Sequence, residues 1–373
     1  MRILYDGWSL IHDPFSPASL HLHAILENIP PQVDPFLALP GNSPGYLDFC
    51  ETEHMPTPGT PWGKLRWEQS YLPSLAKKLD VQLLHLFTPT APALMSLETV
   101  FSPAGFGAGS SGWSGIQKTT ADRSRLSDRF RISLGMGGLA RNSKIMWPDD
   151  LPLPAIAGSI ASIPPVLPLK FTRDPVPFTG GKIDDLPQDL RVPDEFVLYH
   201  GPGGRQVLEL LLQAWIWAAV AIGEYYPLLL VGLDDQDRQV VSQLGNKLGI
   251  ADSLLVLPAV TSAMLHNLYQ LTAAVFHPAP ASPWCGPVRL ALASGKPLVA
   301  AEDIFSAAIA GPAAYLAKGN DARALGAALV TVVVESEMAN RLSAAGKHRA
   351  RDWISNDFGE QLLVLYSSAH GLG

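Results

Sequence analysis

Three groups of residues in this 373-residue chain have types and spacings that bear on chemistry. The first is His200-Gly201-Pro202-Gly203-Gly204-Arg205. A glycine-rich turn between an apolar run and a helical stretch can turn backbone N–H groups toward an anion, and Arg205 adds a charge-assisted contact to phosphate. A tight turn accounts for the same residues, and both readings stand. The second group lies in HPAPASPWCGPVRLALASGKPLVA, from His277 to Ala300, where Ser282, Trp284, Cys285 and Gly286 lead into a helix. Such a loop is a place where open α/β sheets bind anionic ligands. The third is a set of histidines, His85, His200 and His277, at the ends of apolar runs. Histidines satisfied by structural neighbours are the plainer reading, and His200, just before the glycine-rich turn, is the best placed to touch a ligand. Zinc-ligand spacing, the P-loop pattern, G-x-S-x-G and G-x-G-x-x-G after a strand are all absent from the sequence.

The elements that must position these residues follow from short apolar runs and their breakers. Ala273–Phe276 and Leu298–Ala301 read as buried parallel strands. Between them Pro278, Pro280 and Pro283 force a loop, Pro287 suits a first helical turn, and Gly295 suits a left-handed stop. Phe196–Tyr199, Tyr226–Val231 and Leu254–Leu257 read as further strands, with helices over Val207–Ile222, Val240–Leu248 and Thr261–Leu271. In the first half, strands are expected at Arg2–Tyr5, Asp34–Leu39, Lys144–Trp147 and Ile160–Ile163, with helices over Leu20–Glu27 and Lys64–Leu79. Trp8–Pro14 and the proline-rich stretch Pro40–Gly63 read as loops, Gly105–Gly115 as a mobile surface loop. Arg123–Arg141 reads as a helix with a basic face, either solvated or phosphate-binding. Terminal helices are expected over Glu337–Arg351 and Phe358–Ser367.

Composition bounds the function. Hydrophobic residues make up 47% and charged residues 16%, enough for large cores, and 373 residues suggest about two domains. A formal charge of -7 argues against nucleic-acid partners. Cys50 and Cys285 give neither a disulfide framework nor a metal site, so a reducing, cytoplasmic setting is expected. The N-terminus reads as a strand rather than a signal peptide. The apolar stretch Leu208–Ile222, with Glu209 and Gln213, reads as a buried helix rather than a membrane span.

Several motifs together resemble the retaining group 4 glycosyltransferases of the GT-B class. Phe196-Val197-Leu198-Tyr199-His200-Gly201 is similar to their F-V-L-Y-V-G strand, Trp67-Glu68-Gln69 with Leu72-Pro73 to their W-E-Q…L-P segment, and Ile163-Pro164-Pro165 to an I-P-P linker entry. In the family, the His277–Ala300 region runs F-P-S, E-G-F-G, P-x-x-E, A-x-A-x-G-x-P-V-V-A. Here His277-Pro278-Ala279 stands at the start, and Ala291, Ala293, Gly295 and Pro297 match the end. Between them Ser282 stands at the first family glutamate and Leu290 at the second. The family's donor-site lysine is Gln206 here, Arg205 stands at the arginine, and Phe101-Ser102-Pro103 lies where the family carries a donor-contacting histidine.

The resemblance implies an α/β fold of GT-B architecture, two Rossmann-like doubly wound domains facing a cleft. The expected divisions are 1–165 on the acceptor side, a proline-rich linker over 166–195, 196–355 on the nucleotide-sugar side, and 356–373 crossing back. It implies donor contacts from His200, Gly201, Gly203, Gly204, Arg205, Ser282, Trp284 and Gly286, with Lys296, Glu302 and Asp303 as neighbours able to offset lost groups. It implies no cofactor beyond a nucleotide sugar as co-substrate. Two functions follow. One is a divergent transferase moving a hexosyl group to a glycan or lipid-linked acceptor, with peripheral membrane contact. The other is a GT-B protein that has lost its site and serves as a binding or scaffold subunit for a protein partner. Apart from the resemblance, a two-domain α/β chain ordinarily presents a cleft, which here could take some other ligand.

Overall fold

Runs such as Leu228–Val231 and Leu298–Ala301 are apolar on both faces, and strands of that kind are at home inside a parallel sheet covered by helices. The computed structural model contains two such sheets among its described residues, which are 1–14, 16–42, 50–87, 91–93, 97–104, 143–153, 159–168, 192–257, 260, 262–319, 321–353 and 357–370. The stretches Gly105–Gly115 and Arg123–Arg141, and most of the linker, lie outside them.

The first sheet has seven strands: β1 (Arg2–Asp6), β2 (Asp34–Leu39), β3 (Glu51–His54), β4 (Leu83–Leu86), β5 (Glu98–Phe101), β6 (Ser143–Pro148) and β7 (Ser159–Ile163). Their order is β3-β2-β1-β4-β5-β6-β7, every pair parallel. The second has six: β8 (Val197–His200), β9 (Leu228–Val231), β10 (Leu254–Val256), β11 (Ala274–His277), β12 (Leu298–Glu302) and β13 (Tyr315–Lys318). Their order, β10-β9-β8-β11-β12-β13, is again all parallel. Each is the doubly wound order in which the chain starts at the centre, builds one flank, then crosses to the other. The α/β class and its doubly wound sheets are therefore observed.

By contact, the chain divides into two units: Met1–Pro168 with Ser282–Cys285 and Ser355–Gly373, and Leu169–Ala281 with Gly286–Ile354. In the first, Leu4, Phe36, Leu84, Phe101, Trp67 and Leu72 are among the core residues. In the second, the helix Arg205–Ile222 lays Leu208, Leu211, Leu212, Trp215 and Ala218 into a core with Tyr199, Leu230, Phe276 and Leu329.

Local chemistry sets the ends. Asp234 caps Asp235–Leu248 by accepting from Asp237 N–H, and Gly249, at φ 70°, closes that helix in the left-handed region. Gly295, at φ 63°, provides the stop expected after Pro287–Ala293.

Three stretches differ from the sequence expectation. Pro40–Gly63 is not loop throughout: Glu51–His54 pairs with β2 as the sheet's edge strand, and a helix starts at Pro61. Its polar residues are tolerated because an edge strand is half solvated. Trp8–His12 is a short helix rather than a loop, begun where Asp6 Oδ1 accepts the Trp8 N–H at 3.1 Å. The helix over Lys64–Leu79 contains a π-helical turn, Trp67–Tyr71, in which Leu72 N–H reaches back to Trp67 O. Pro73 follows with no N–H to give, which favours the wider turn.

Candidate functional site

In a doubly wound sheet, ligands bind outside the carboxyl ends of the strands where the order reverses. In the second sheet that point lies between β8 and β11, so the loops after His200 and His277 are the ones to examine.

The first loop is a tight glycine turn. His200 is 2% exposed and its Nδ1 bonds the Tyr269 hydroxyl at 3.0 Å. The Tyr199 hydroxyl donates to Pro202 O at 2.6 Å, inside the same turn. Gly204 holds φ at 101°, a value that favours glycine, and its N–H donates to Asp237 Oδ1 at 2.9 Å. Gly203 lies against the same carboxylate: a Cβ there would stand 1.7 Å from Asp237 Oδ2. Asp237 is 3% exposed. The turn thus directs a backbone N–H at an anion, and that anion is the protein's own carboxylate. Arg205, by contrast, is exposed, with its Nε on Glu209 Oε1 at 2.7 Å, one helical turn on.

The second loop is buried along its length except at Pro280, which is half-buried. His277 is fully buried, with Nε2 at 3.4 Å from Pro280 O, and burial pulls its pKa down to about 4, against weaker raising effects from Asp303 and the Pro280 bond. Gly286 is buried and precedes the helix Pro287–Ala293. Leu290, at the position of the family's second glutamate, is fully buried in that helix. Of the neighbours able to offset the losses, Asp303 accepts from Ala281, Phe305 and Ser306 N–H groups, so its oxygens serve the loop and a helix N-terminus. Lys296 precedes β12, at the opposite strand end from the loops, and burial lowers its pKa, with Glu195 raising it and Lys347 lowering it. Glu302 is exposed at the carboxyl end of β12.

Ser282 and Trp284 group with the first unit. Ser282 Oγ donates to Ala104 O at 3.1 Å, and Cys285 Sγ to Val166 O at 3.4 Å. The Trp284 ring is fully buried and stacks on His21, centroids 4.3 Å apart and 13° from parallel. His21 in turn meets the edge of Phe87, and Phe87 stacks on His85 at 4.6 Å. The eight expected donor residues are therefore divided: His200, Gly201, Gly203, Gly204, Arg205 and Gly286 in the second unit, Ser282 and Trp284 in the first.

The reversal point of the first sheet, between β1 and β4, is likewise filled. His85 bonds Ser102 Oγ through Nε2 at 2.7 Å and the Tyr366 hydroxyl through Nδ1 at 2.8 Å. Tyr366 also meets the Tyr5 hydroxyl at 3.2 Å. Burial holds His85 down to about 3, so it is neutral. Ser102, at the place of the family's histidine, is thus the partner of a histidine on the next strand. Asp6 accepts from Trp67 Nε1 at 2.8 Å, and burial raises its pKa, partly countered by its hydrogen bonds and Lys64.

Asp237 was not singled out by sequence reasoning. Its own helix start is legible in Asp234-Asp235-Gln236-Asp237, but a bond to Gly204, 33 residues away, leaves no local signal. Two hollows of about 490 and 350 Å³ lie elsewhere in the second unit, lined by Pro312, Tyr315, Arg341, Ala345 and His348 among others, and neither touches the two loops. Among the described residues no group of three or more His, Cys, Asp or Glu is placed to hold a metal ion.

No family model and no curated protein matches the sequence. Solved structures match along the whole chain. WaaG, a glycosyltransferase involved in lipopolysaccharide biosynthesis, superposes with a TM-score of 0.72 at 13% identity, over 98% of this chain and 99% of that one. Sucrose-phosphate synthase from Thermosynechococcus elongatus gives 0.70 at 15%, covering both chains completely. Anabaena HepE, solved in complex with UDP and glucose, gives 0.69 at 14%, over 99% and 100%. The chain has the fold of the GT-B glycosyltransferases, as the sequence motifs implied.

Proposed function

We propose that this protein is a GT-B glycosyltransferase-like chain whose donor crevice no longer carries transfer chemistry, and that it acts as a non-catalytic binding or scaffold subunit. The observation that supports this most is the Asp237 carboxylate on Gly204 N–H. At the turn where the resemblance implies a donor diphosphate, the N–H is already satisfied by a buried carboxylate, which repels a second anion. Leu290 offers no hydroxyl partner and Gln206 no charge. A nucleotide leaving group needs cationic or dipolar stabilisation as its charge develops, and Arg205 alone supplies little of it. The free thiols Cys50 and Cys285 suit a reducing, cytoplasmic setting.

One observation favours the alternative, a divergent transferase taking a hexosyl group from a nucleotide sugar to a glycan or lipid-linked acceptor. Arg205 stands at a helix N-terminus, and its only hydrogen-bonded ion pair among the described residues is an exposed one that a ligand would displace at little cost. Titration calorimetry with UDP, GDP and UDP-glucose separates the two. The expected result is no binding heat with any of them. Micromolar binding, with Arg205→Ala weakening it by roughly 1.5–3 kcal/mol, would overturn the non-catalytic reading.

A further inference from the structure

Helices that cover an α/β sheet ordinarily carry a polar outer face. The second half of Arg205–Ile222 and the residues after it, AWIWAAVAIGEYY, do not. Its inner residues Trp215 and Ala218 are fully buried, yet Trp217 is 53% exposed, Val220 90%, and Tyr225, just past its end, 71%. By length and composition the helix is apolar enough to cross a membrane, although only 39% of it is buried. The helix Ala322–Val334 lies directly beside it. A Cβ added at Gly326 would come within 2.4 Å of Ala214 O and 2.6 Å of Trp217 Cβ, so only glycine permits this approach. The Arg323 guanidinium sits over the Trp217 ring at 5.3 Å. This second helix is apolar outward as well, with Ala327 exposed and Val334 65% exposed. The two form one apolar face.

We propose that this two-helix face is a self-association surface, and that its occupant is the same face of a second copy of the chain. Size is the first argument. Trp217, Val220, Tyr225 and Val334, with the smaller Ala221 and Ala327, expose on the order of 600 Å² of apolar side chain. That lies at the lower end of the roughly 600–1,000 Å² per partner that specific interfaces bury. Charge is the second. The face carries Arg323 and is bordered by Glu224 and Glu335, a mixture that can pair with itself across a two-fold axis. It has no basic cluster, and the chain's net charge of -7 opposes an anionic lipid surface. Tryptophan, tyrosine and arginine beside aliphatic residues are also the types that dominate interface energetics. The proposal does not depend on either reading of the donor crevice.

Sedimentation equilibrium of the full chain up to about 100 μM, above the micromolar constants of weak specific complexes, tests it. The wild type is expected to dimerise. Val220→Glu combined with Val334→Glu, both at outward positions, is expected to raise the dissociation constant at least about 100-fold with unchanged far-UV dichroism. Hydrogen exchange supplies a second reading without a variant: protection over 217–225 and 327–334 should grow with protein concentration. A wild type monomeric throughout, a dimer that survives the double substitution, or protection independent of concentration would each overturn the proposal. So would a monomer that co-sediments with phosphatidylcholine vesicles, which would assign the face to a membrane instead.

Discussion

The two strand-order reversal points solve the same problem in different ways. Each brings polar groups to the carboxyl ends of central strands, where a doubly wound protein usually meets its ligand. In the first sheet the polar groups satisfy one another through side chains. Ser102, His85, Tyr366 and Tyr5 form one hydrogen-bonded line, and two of its four members come from opposite ends of the chain. In the second sheet the backbone is the donor, and a carboxylate from a neighbouring helix is the acceptor. A side-chain network of neutral groups tolerates no ion and has little reason to open. A backbone N–H held by one carboxylate becomes available to another anion once that carboxylate loses its charge or is removed. Whatever binding capacity remains is therefore expected at the second point.

Substitutions should separate the two regions. Among the substitutions the largest effect is expected for Trp284→Ala, which empties the space of a fully buried ring stacked on His21; unfolding by denaturant should show a loss of about 3–5 kcal/mol. A loss below about 1 kcal/mol would mean that the ring contributes little to the first unit.

Acid should come next. His85 and His277 have folded pKa values near 3 and 4, below the ordinary 6.5, because burial disfavours their charged forms. The unfolded chain then binds more protons between those values and 6.5. Their contribution to stability is complete above pH 6.5 and falls as pH drops, by up to about 1.4 kcal/mol per pH unit for each histidine. Asp6 works the other way: its raised carboxyl pKa favours the folded state on the acid side and partly offsets the loss. Unfolding free energies measured from pH 7 to pH 4 should decline, and His85→Gln should flatten the decline. A flat wild-type profile would contradict the buried neutral histidines.

Tyr366→Phe removes the hydroxyl between His85 and Tyr5 and should cost about 1–3 kcal/mol without changing any ligand titration. The smallest effect is expected for Asp237→Asn. Losing a charged acceptor should cost about 0.5–1.5 kcal/mol, while inorganic phosphate or UDP should bind better than to the wild type because the repelling charge is gone. Unchanged binding would remove the role assigned to this carboxylate.

Much of the fold was legible, and for a physical reason. Parallel strands buried on both faces must be continuous apolar runs, so Val197–His200, Leu228–Val231 and Leu298–Glu302 declared themselves. Glu51–His54 did not, because an edge strand can afford Glu-Thr-Glu-His. The candidate site was half legible. Gly204 and the stop at Gly295 were readable because glycine answers a local backbone demand. The partners were not: Asp237 on Gly204, His21 on Trp284 and Tyr366 on His85 are meetings of residues far apart in the chain, with no period or spacing to announce them.

The position of Tyr366 carries a consequence for synthesis. The first unit begins with Met1 and is completed by the segment starting at Ser355, so its last helix leaves the ribosome after the whole of the second unit's sequence. Until then, His85 and Lys144 lack the partners that Tyr366 and Ser368 give them. The second unit has its entire sequence sooner and is expected to mature first during translation, while the first unit waits for its last helix. A nonsense codon at Phe358 would therefore spare the younger half and leave the older half without its last helix.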